Sequence, residues 1–219
     1  MDQAASPDPR RGVTTLIVTI VLTAIIVGTA AYAFGRASVP VRVTPGSDGP
    51  EAGFARDMQV HHIQGVEMAM IIRDRTTDPD VRRLAYDIAT TQSHQAGQLY
   101  AWLTEWGLNQ LGGQPPMMWM MAQGPDGKAA NHPMAMNALM PGMATPEQMK
   151  ELSDASGLDA ERLFLTLMIA HHKGALDMAR AVLDRSDYPG VRIFANAVLT
   201  SQQSEIDLMT EMLAARQER

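Results

Sequence analysis

Hydrophobic and polar positions follow two different patterns along the chain. From Val13 to Phe34 the residues VTTLIVTIVLTAIIVGTAAYAF are uncharged without interruption, enough for the roughly 20 residues that a helix needs to span a bilayer core. This predicts a transmembrane helix over 13–35, with 1–12 on the cytoplasmic side because Arg10 and Arg11 precede it; Arg36 and Arg42 follow, so the bias in charge is small. A cleaved signal peptide competes, since Ala31-Tyr32-Ala33 has the small-x-small form of a cleavage site, but the apolar run exceeds a usual signal core. Both readings put the remaining chain outside the cytoplasm, as the domain of a single-pass membrane protein or its processed form. Residues 36–50, RASVPVRVTPGSDGP, show no amphipathic period and are rich in Pro, Gly and Ser, which describes a linker.

From Glu51 onward the apolar positions recur at helical spacing, and no strand alternation competes. A first helix is expected over about Glu51 to Arg75, a turn at Thr76 to Asp80 with Pro79 in a first helical turn, and a second helix to about Trp106 before Gly107. The same plan returns later: Asp159 can cap a helix to about Arg185, and Ser186-Asp187-Tyr188-Pro189 turns the chain into a last helix.

The two halves are one unit used twice. A shift of 110 residues, with no gap, superposes Phe54 on Phe164, Met58 on Met168, His61-His62 on His171-His172, and Met68-Ala69 on Met178-Ala179. It also pairs Asp74-Arg75 with Asp184-Arg185, Pro79 with Pro189, Val81-Arg82 with Val191-Arg192, Ala85 with Ala195 and Gln92 with Gln202. A repeat of this size is a supersecondary unit that buries its apolar face against its copy. The expected fold is therefore all-α: a ferritin-like four-helix bundle over 51–219 from two duplicated helical hairpins, preceded by the membrane helix. The crossover 108–158 is too long for an idle connection, and Thr145-Pro146-Glu147-Gln148 should open a short helix to about Ala155.

The repeat carries the candidate chemistry. Residues three, four and seven apart share a helix face, so Met58, His61, His62, Gly65 and Met68 form one stripe and Met168, His171, His172, Ala175 and Met178 its copy. Neighbouring histidines differ by about 100° around the helix, so one of each pair is expected to face the bundle axis, and spacing does not say which. The bland reading is that the imidazoles satisfy core hydrogen bonds and the methionines fill gaps. Duplication favours a metal site, because it brings four imidazoles and four thioethers to one pseudo-twofold axis. Thioether sulfur suits Cu(I), and imidazole suits Cu(I) and Cu(II), so copper is the first choice; a four-imidazole zinc site is the weaker alternative. His94 lies on the second helix, aligned with Ser204, and is either a further ligand or a solvated side chain. Glu67 and Asp177 also align, as acceptors that could orient an imidazole or as members of a solvated face.

Composition narrows the field further. The chain has 17 Met and no Cys among 219 residues, which removes thiolate sites and disulfides and suits an oxidising compartment. A net charge of -6 gives no footprint for a phosphate backbone, so nucleic-acid binding is set aside. No Glu has a His three positions later, which removes the di-iron motif of ferritin-like enzymes, and no acid-base pair points to catalysis. The crossover adds Met117-Met118-Trp119-Met120-Met121, His132-Pro133-Met134-Ala135-Met136, Met140 and Met143, either a Cu(I)-recruiting loop or a soft flap across the bundle.

The block LFLTLMIAHHKGALDMA at Leu163 to Ala179, its copy at Phe54 to Ala69, and the approach MPGMATPEQMKEL at Met140 to Leu152 resemble the bacterial domain-of-unknown-function family 305. The resemblance covers about Gly53 to Leu213. It implies a ferritin-like fold, and, since a cyanobacterial periplasmic member binds copper, a ligand role for His61, His62, His171, His172, Met58, Met68, Met168 and Met178. The resulting expectation is a non-enzymatic, extracytoplasmic copper-binding protein that sequesters or hands over copper. An accessory module of a membrane complex, with no metal role, is the alternative, and homo-oligomer or membrane-complex partners are left open.

Overall fold

The computed structural model describes residues 9–38, 44–121 and 140–217. Among these residues the regular elements are helices: α1 (Pro9–Ala37), α2 (Pro50–Arg75), α3 (Pro79–Glu105), a 3-10 turn (Met118–Met121), α4 (Pro146–Asp154), α5 (Gly157–Leu183) and α6 (Pro189–Gln217). The chain divides into two units, Met1–Thr44 and Pro45–Arg219. In the first, the Gly12–Ala37 stretch of α1 is long and apolar enough to cross a membrane, by length and composition. The second is a ferritin-like four-helix bundle formed by α2, α3, α5 and α6.

Local chemistry sets the helix ends. Pro79 and Pro146 occupy first-turn positions, where a missing N–H costs nothing. Asp78 caps α3 by accepting from the N–H groups of Asp80 (2.9 Å) and Val81 (3.1 Å). The Thr-Pro-Glu-Gln run opens α4 as expected, and the structure adds a reciprocal capping box between Thr145 and Gln148. Gly107 takes φ +70 just past α3, a left-handed position that glycine enters without penalty. The start of α5 differs from expectation: Ser156 occupies the cap, and Asp159 lies within the first turn, 3.6 Å from Arg162. An acid there still opposes the positive end of the helix dipole, so composition alone does not separate the two positions.

The duplicated hairpins interlock. Ser186, in the α5–α6 turn, donates to Glu51 at the start of α2 (2.6 Å), and Thr76, in the α2–α3 turn, donates to Glu161 at the start of α5 (2.5 Å). These two bonds are copies of each other under the 110-residue shift. Arg216 closes one end, with 2.6 Å to Glu161 and 2.9 Å to Asp78.

The core is split in two. One apolar cluster holds Phe54, Met58, Leu99, Leu103, Met178 and Phe194, joined by Met117, Trp119, Met120 and Met140 from the crossover. The other holds Met68, Ile72, Ile88, Phe164, Met168 and Met209. Each such side chain contributes about 1.5–3 kcal/mol on full burial. Between the clusters, each bundle helix carries buried polar or small residues: His61, His62 and Gly65 on α2, Gln92 on α3, His171, His172 and Gly174 on α5, and Gln202 on α6.

The crossover folds down rather than looping free. The buried Asp57 carboxylate accepts from the Met117 N–H (2.6 Å) and the Trp119 indole N–H (2.8 Å), pinning the 3-10 turn onto α2. Gln64 brackets the backbone of Ala144, donating to its carbonyl (2.9 Å) and accepting from its N–H (2.8 Å). Met117, Trp119, Met120 and Met140 pack against the bundle, while His132, Met134 and Met136 lie outside the described residues.

Candidate metal centre

Helices α2 and α5 run antiparallel, since Met58 shares a cluster with Met178 and Met68 with Met168. Their midpoints therefore cross at the histidine pairs, and all four imidazoles are fully buried. His61 and His171 meet across the pseudo-twofold axis with ring centroids 3.8 Å apart and planes inclined by 32°. His62 lies 6.4 Å from His61, and His172 lies 6.2 Å from His171.

Hydrogen bonds assign the tautomers. Nε2 of His61 faces the Pro141 carbonyl at 3.0 Å, and Nε2 of His171 faces the His61 carbonyl at 2.8 Å. A carbonyl only accepts, so both Nε2 atoms carry the proton. Nε2 of His172 donates to the Glu205 carboxylate at 2.7 Å. In neutral His61 and His171 the lone pair is left on Nδ1, and the Nδ1 atoms of His61, His171 and His172 are all buried without a hydrogen bond. His62 has no hydrogen bond at either nitrogen, although Gln95 lies beside it.

Burial favours the neutral form of His61, His62 and His171. Desolvation is the main cause that lowers the His61 pKa to about 4, against a raising contribution from the Pro141 carbonyl. Desolvation, reinforced by neighbouring imidazoles, takes His62 and His171 well below the ordinary histidine value. A neutral imidazole with one nitrogen fixed by an acceptor and the other bare is the form in which histidine ligates metals.

The remaining expected residues divide. Met58, Met68, Met168 and Met178 are all fully buried, one pair on either side of the imidazole layer. His94 is exposed on α3, in a shallow surface hollow with Thr90, Thr91 and Gln95, outside the buried layer. Glu67 and Asp177 are exposed, and Asp177 pairs with Arg180 at 3.4 Å, so neither orients an imidazole. Glu205 does so for His172, and its repeat equivalent Gln95 sits beside His62. Their positions one turn beyond the aligned Gln92 and Gln202 were the available signal.

The donor set fits a soft or borderline ion in part. Bare imidazole nitrogens and buried thioethers are copper ligands, and the layer offers no cluster of hard carboxylates. Among the described residues, no three His, Asp or Glu side chains form a ready-made cage for a metal ion. A surface hollow of about 270 Å³ lies elsewhere, beside Arg56, Asp57 and Trp119.

Comparison with known proteins places this architecture. The family described as domain of unknown function DUF305 matches residues 51–213. A DUF305 protein of Streptomyces coelicolor, described as secreted, is 44% identical over 78% of this chain and 96% of its own, with a TM-score of 0.69. A DUF305 fragment from Deinococcus radiodurans is 31% identical over 76% and 96%, with a TM-score of 0.61. CopM in its Cu(I)-bound form shares the fold at 19% identity over 75% and 96%, with a TM-score of 0.55, and CopM has also been solved with Cu(II) and with silver. No match was found among curated proteins. The family match over residues 51–213 and the 44% identity to a DUF305 structure establish that the chain belongs to the DUF305 family.

Proposed function

We propose that this protein binds copper outside the cytoplasm, to sequester it or to pass it on. The observation that carries the reading is the set of buried imidazole Nδ1 atoms without hydrogen bonds, lying between two clusters that contain thioethers. An unbonded polar atom in a core destabilises the fold, so a recurrent set of them calls for a partner. Thioether and imidazole ligands suit Cu(I), imidazole also suits Cu(II), and both exchange readily enough for transfer. The copper-bound forms of CopM, which shares the fold, add support. His61, His62, His171 and His172 would supply nitrogen, and Met58, Met68, Met168 and Met178 would supply sulfur. The α1 helix would hold the bundle at the membrane surface.

The full chain in detergent, titrated with Cu(I) against a competing chelator, is expected to retain copper, and complete loss to the chelator would refute the proposal. The accessory-module reading gains from the 3.8 Å stack of His61 on His171 and from their bonds to backbone carbonyls, which serve packing equally well. Under that reading, His61→Ala and His171→Ala lower the melting temperature by the same amount with and without copper. Under the copper reading the loss is larger when copper is present.

A further inference from the structure

The imidazole layer contains two side chains that the metal reading above does not use. Gln92 on α3 and Gln202 on α6 are 1% and 2% exposed, and the amide oxygen and nitrogen of both lack any hydrogen bond. They are equivalent under the repeat, so the same unbonded arrangement occurs twice.

Geometry places Gln92 against a histidine, and the repeat puts Gln202 at the equivalent position on α6. A methyl group built on Gly65 would stand 2.2 Å from Gln92 Oε1 and 2.9 Å from His171 Cε1, so the amide oxygen and that ring crowd one spot on α2. Gly65 keeps the spot open. On α6, Gln202 lies one turn before Glu205, which holds His172, and residues three apart share a helix face. On α3, Gln92 stands in the same relation to Gln95, which lies beside His62. Each bundle helix thus sends polar groups into one layer between the two apolar clusters. A leucine at either position would pack in such a core without any unbonded polar atom.

We infer that Gln92 and Gln202 are oxygen donors of the buried site and fit it for Cu(II) as well as Cu(I), an inference that rests on the copper reading above. An amide oxygen is a harder ligand than a thioether, so its presence favours the higher oxidation state.

The test uses the full chain in detergent carrying Gln92→Leu, Gln202→Leu, or both, with calorimetry of the metal-free protein and competition titrations for each ion. The metal-free variants are expected to melt higher than the parent, because unbonded amides leave the core. Cu(II) affinity is expected to fall roughly tenfold in the double variant, with Cu(I) affinity little changed. A lower metal-free melting temperature with Cu(II) affinity retained would assign the glutamines a purely structural role and overturn the inference. Gln92→Met with Gln202→Met, which keeps side-chain length and exchanges oxygen for sulfur, is expected to shift preference toward Cu(I); unchanged preference counts against the inference even if the leucine variants do not fold. A parent chain that retains neither ion overturns the copper reading itself, whereas equal Cu(II) retention by parent and double variant overturns only the role of the glutamines.

Discussion

At the scale of the residue, the buried imidazoles link stability to pH. His61 titrates at about 4 in the fold against 6.5 as a free side chain, so the folded state keeps it neutral where the unfolded chain binds a proton. A depressed folded pKa means that the stabilisation is complete above 6.5 and is lost as pH falls from 6.5 toward 4. The slope reaches about 1.4 kcal/mol per pH unit for one such histidine, and His62 and His171, lowered for the same reason, add in the same direction. Melting of the metal-free protein should therefore drop steeply across this interval. A melting temperature constant from pH 6.5 to 4.5 would show that the rings are solvated. Because copper needs the neutral imidazole, its retention should fail in the same direction.

At the scale of the element, two of the contacts that seat the crossover can be perturbed separately. Gly174 lets it pass: a methyl group there would sit 1.8 Å from the Pro141 carbonyl oxygen and 2.4 Å from its carbon, both backbone atoms with little freedom to move. Gly142, at φ +77, carries the strand of chain across this contact. Gly174→Ala gains about 1 kcal/mol in helix propensity but overpacks the contact, for an expected net destabilisation of about 2 kcal/mol by urea unfolding. An unchanged midpoint would show that the crossover yields freely. The second point is Asp57, whose carboxyl pKa is raised by burial despite its bonds to Met117 and Trp119. Asp57→Ala leaves two buried N–H donors without an acceptor and should cost about 1–3 kcal/mol. Tryptophan emission should shift to the red as the Trp119 ring leaves its edge-on contact with Phe54; emission identical to the parent would show that the flap holds without the carboxylate.

At the scale of the whole molecule, duplication produces a bundle whose centre is polar and whose two ends are apolar. Glu51–Ser186 and Glu161–Thr76 repeat each other across the axis, so the hairpin ends dock alike, while the Pro141 carbonyl on His61 and the Glu205 carboxylate on His172 break the match. The α1 helix adds a second environment. The full chain should stay with the membrane fraction after alkaline carbonate extraction, as a spanning helix does and a peripheral protein does not. Release into the soluble fraction would identify the apolar segment as one removed or not inserted.

The sequence by itself determined the helices, the duplicated hairpins and the stripe of His and Met, because a 3.6-residue period, capping residues and an ungapped repeat act locally. It also placed the start of the short helix at Thr145-Pro146, where the capping partners lie only three residues apart. Only the tertiary structure decided which nitrogen of each imidazole is free, since that depends on Pro141, Glu205 and the His61 carbonyl, acceptors that fold in from distant positions. The same holds for Glu205 over Glu67 and Asp177 as the orienting carboxylate, for the exposure of His94, and for the place of Gln92 and Gln202 beside the histidines. Those distinctions depend on how the helices pack together, and a helical period does not record what each face is packed against.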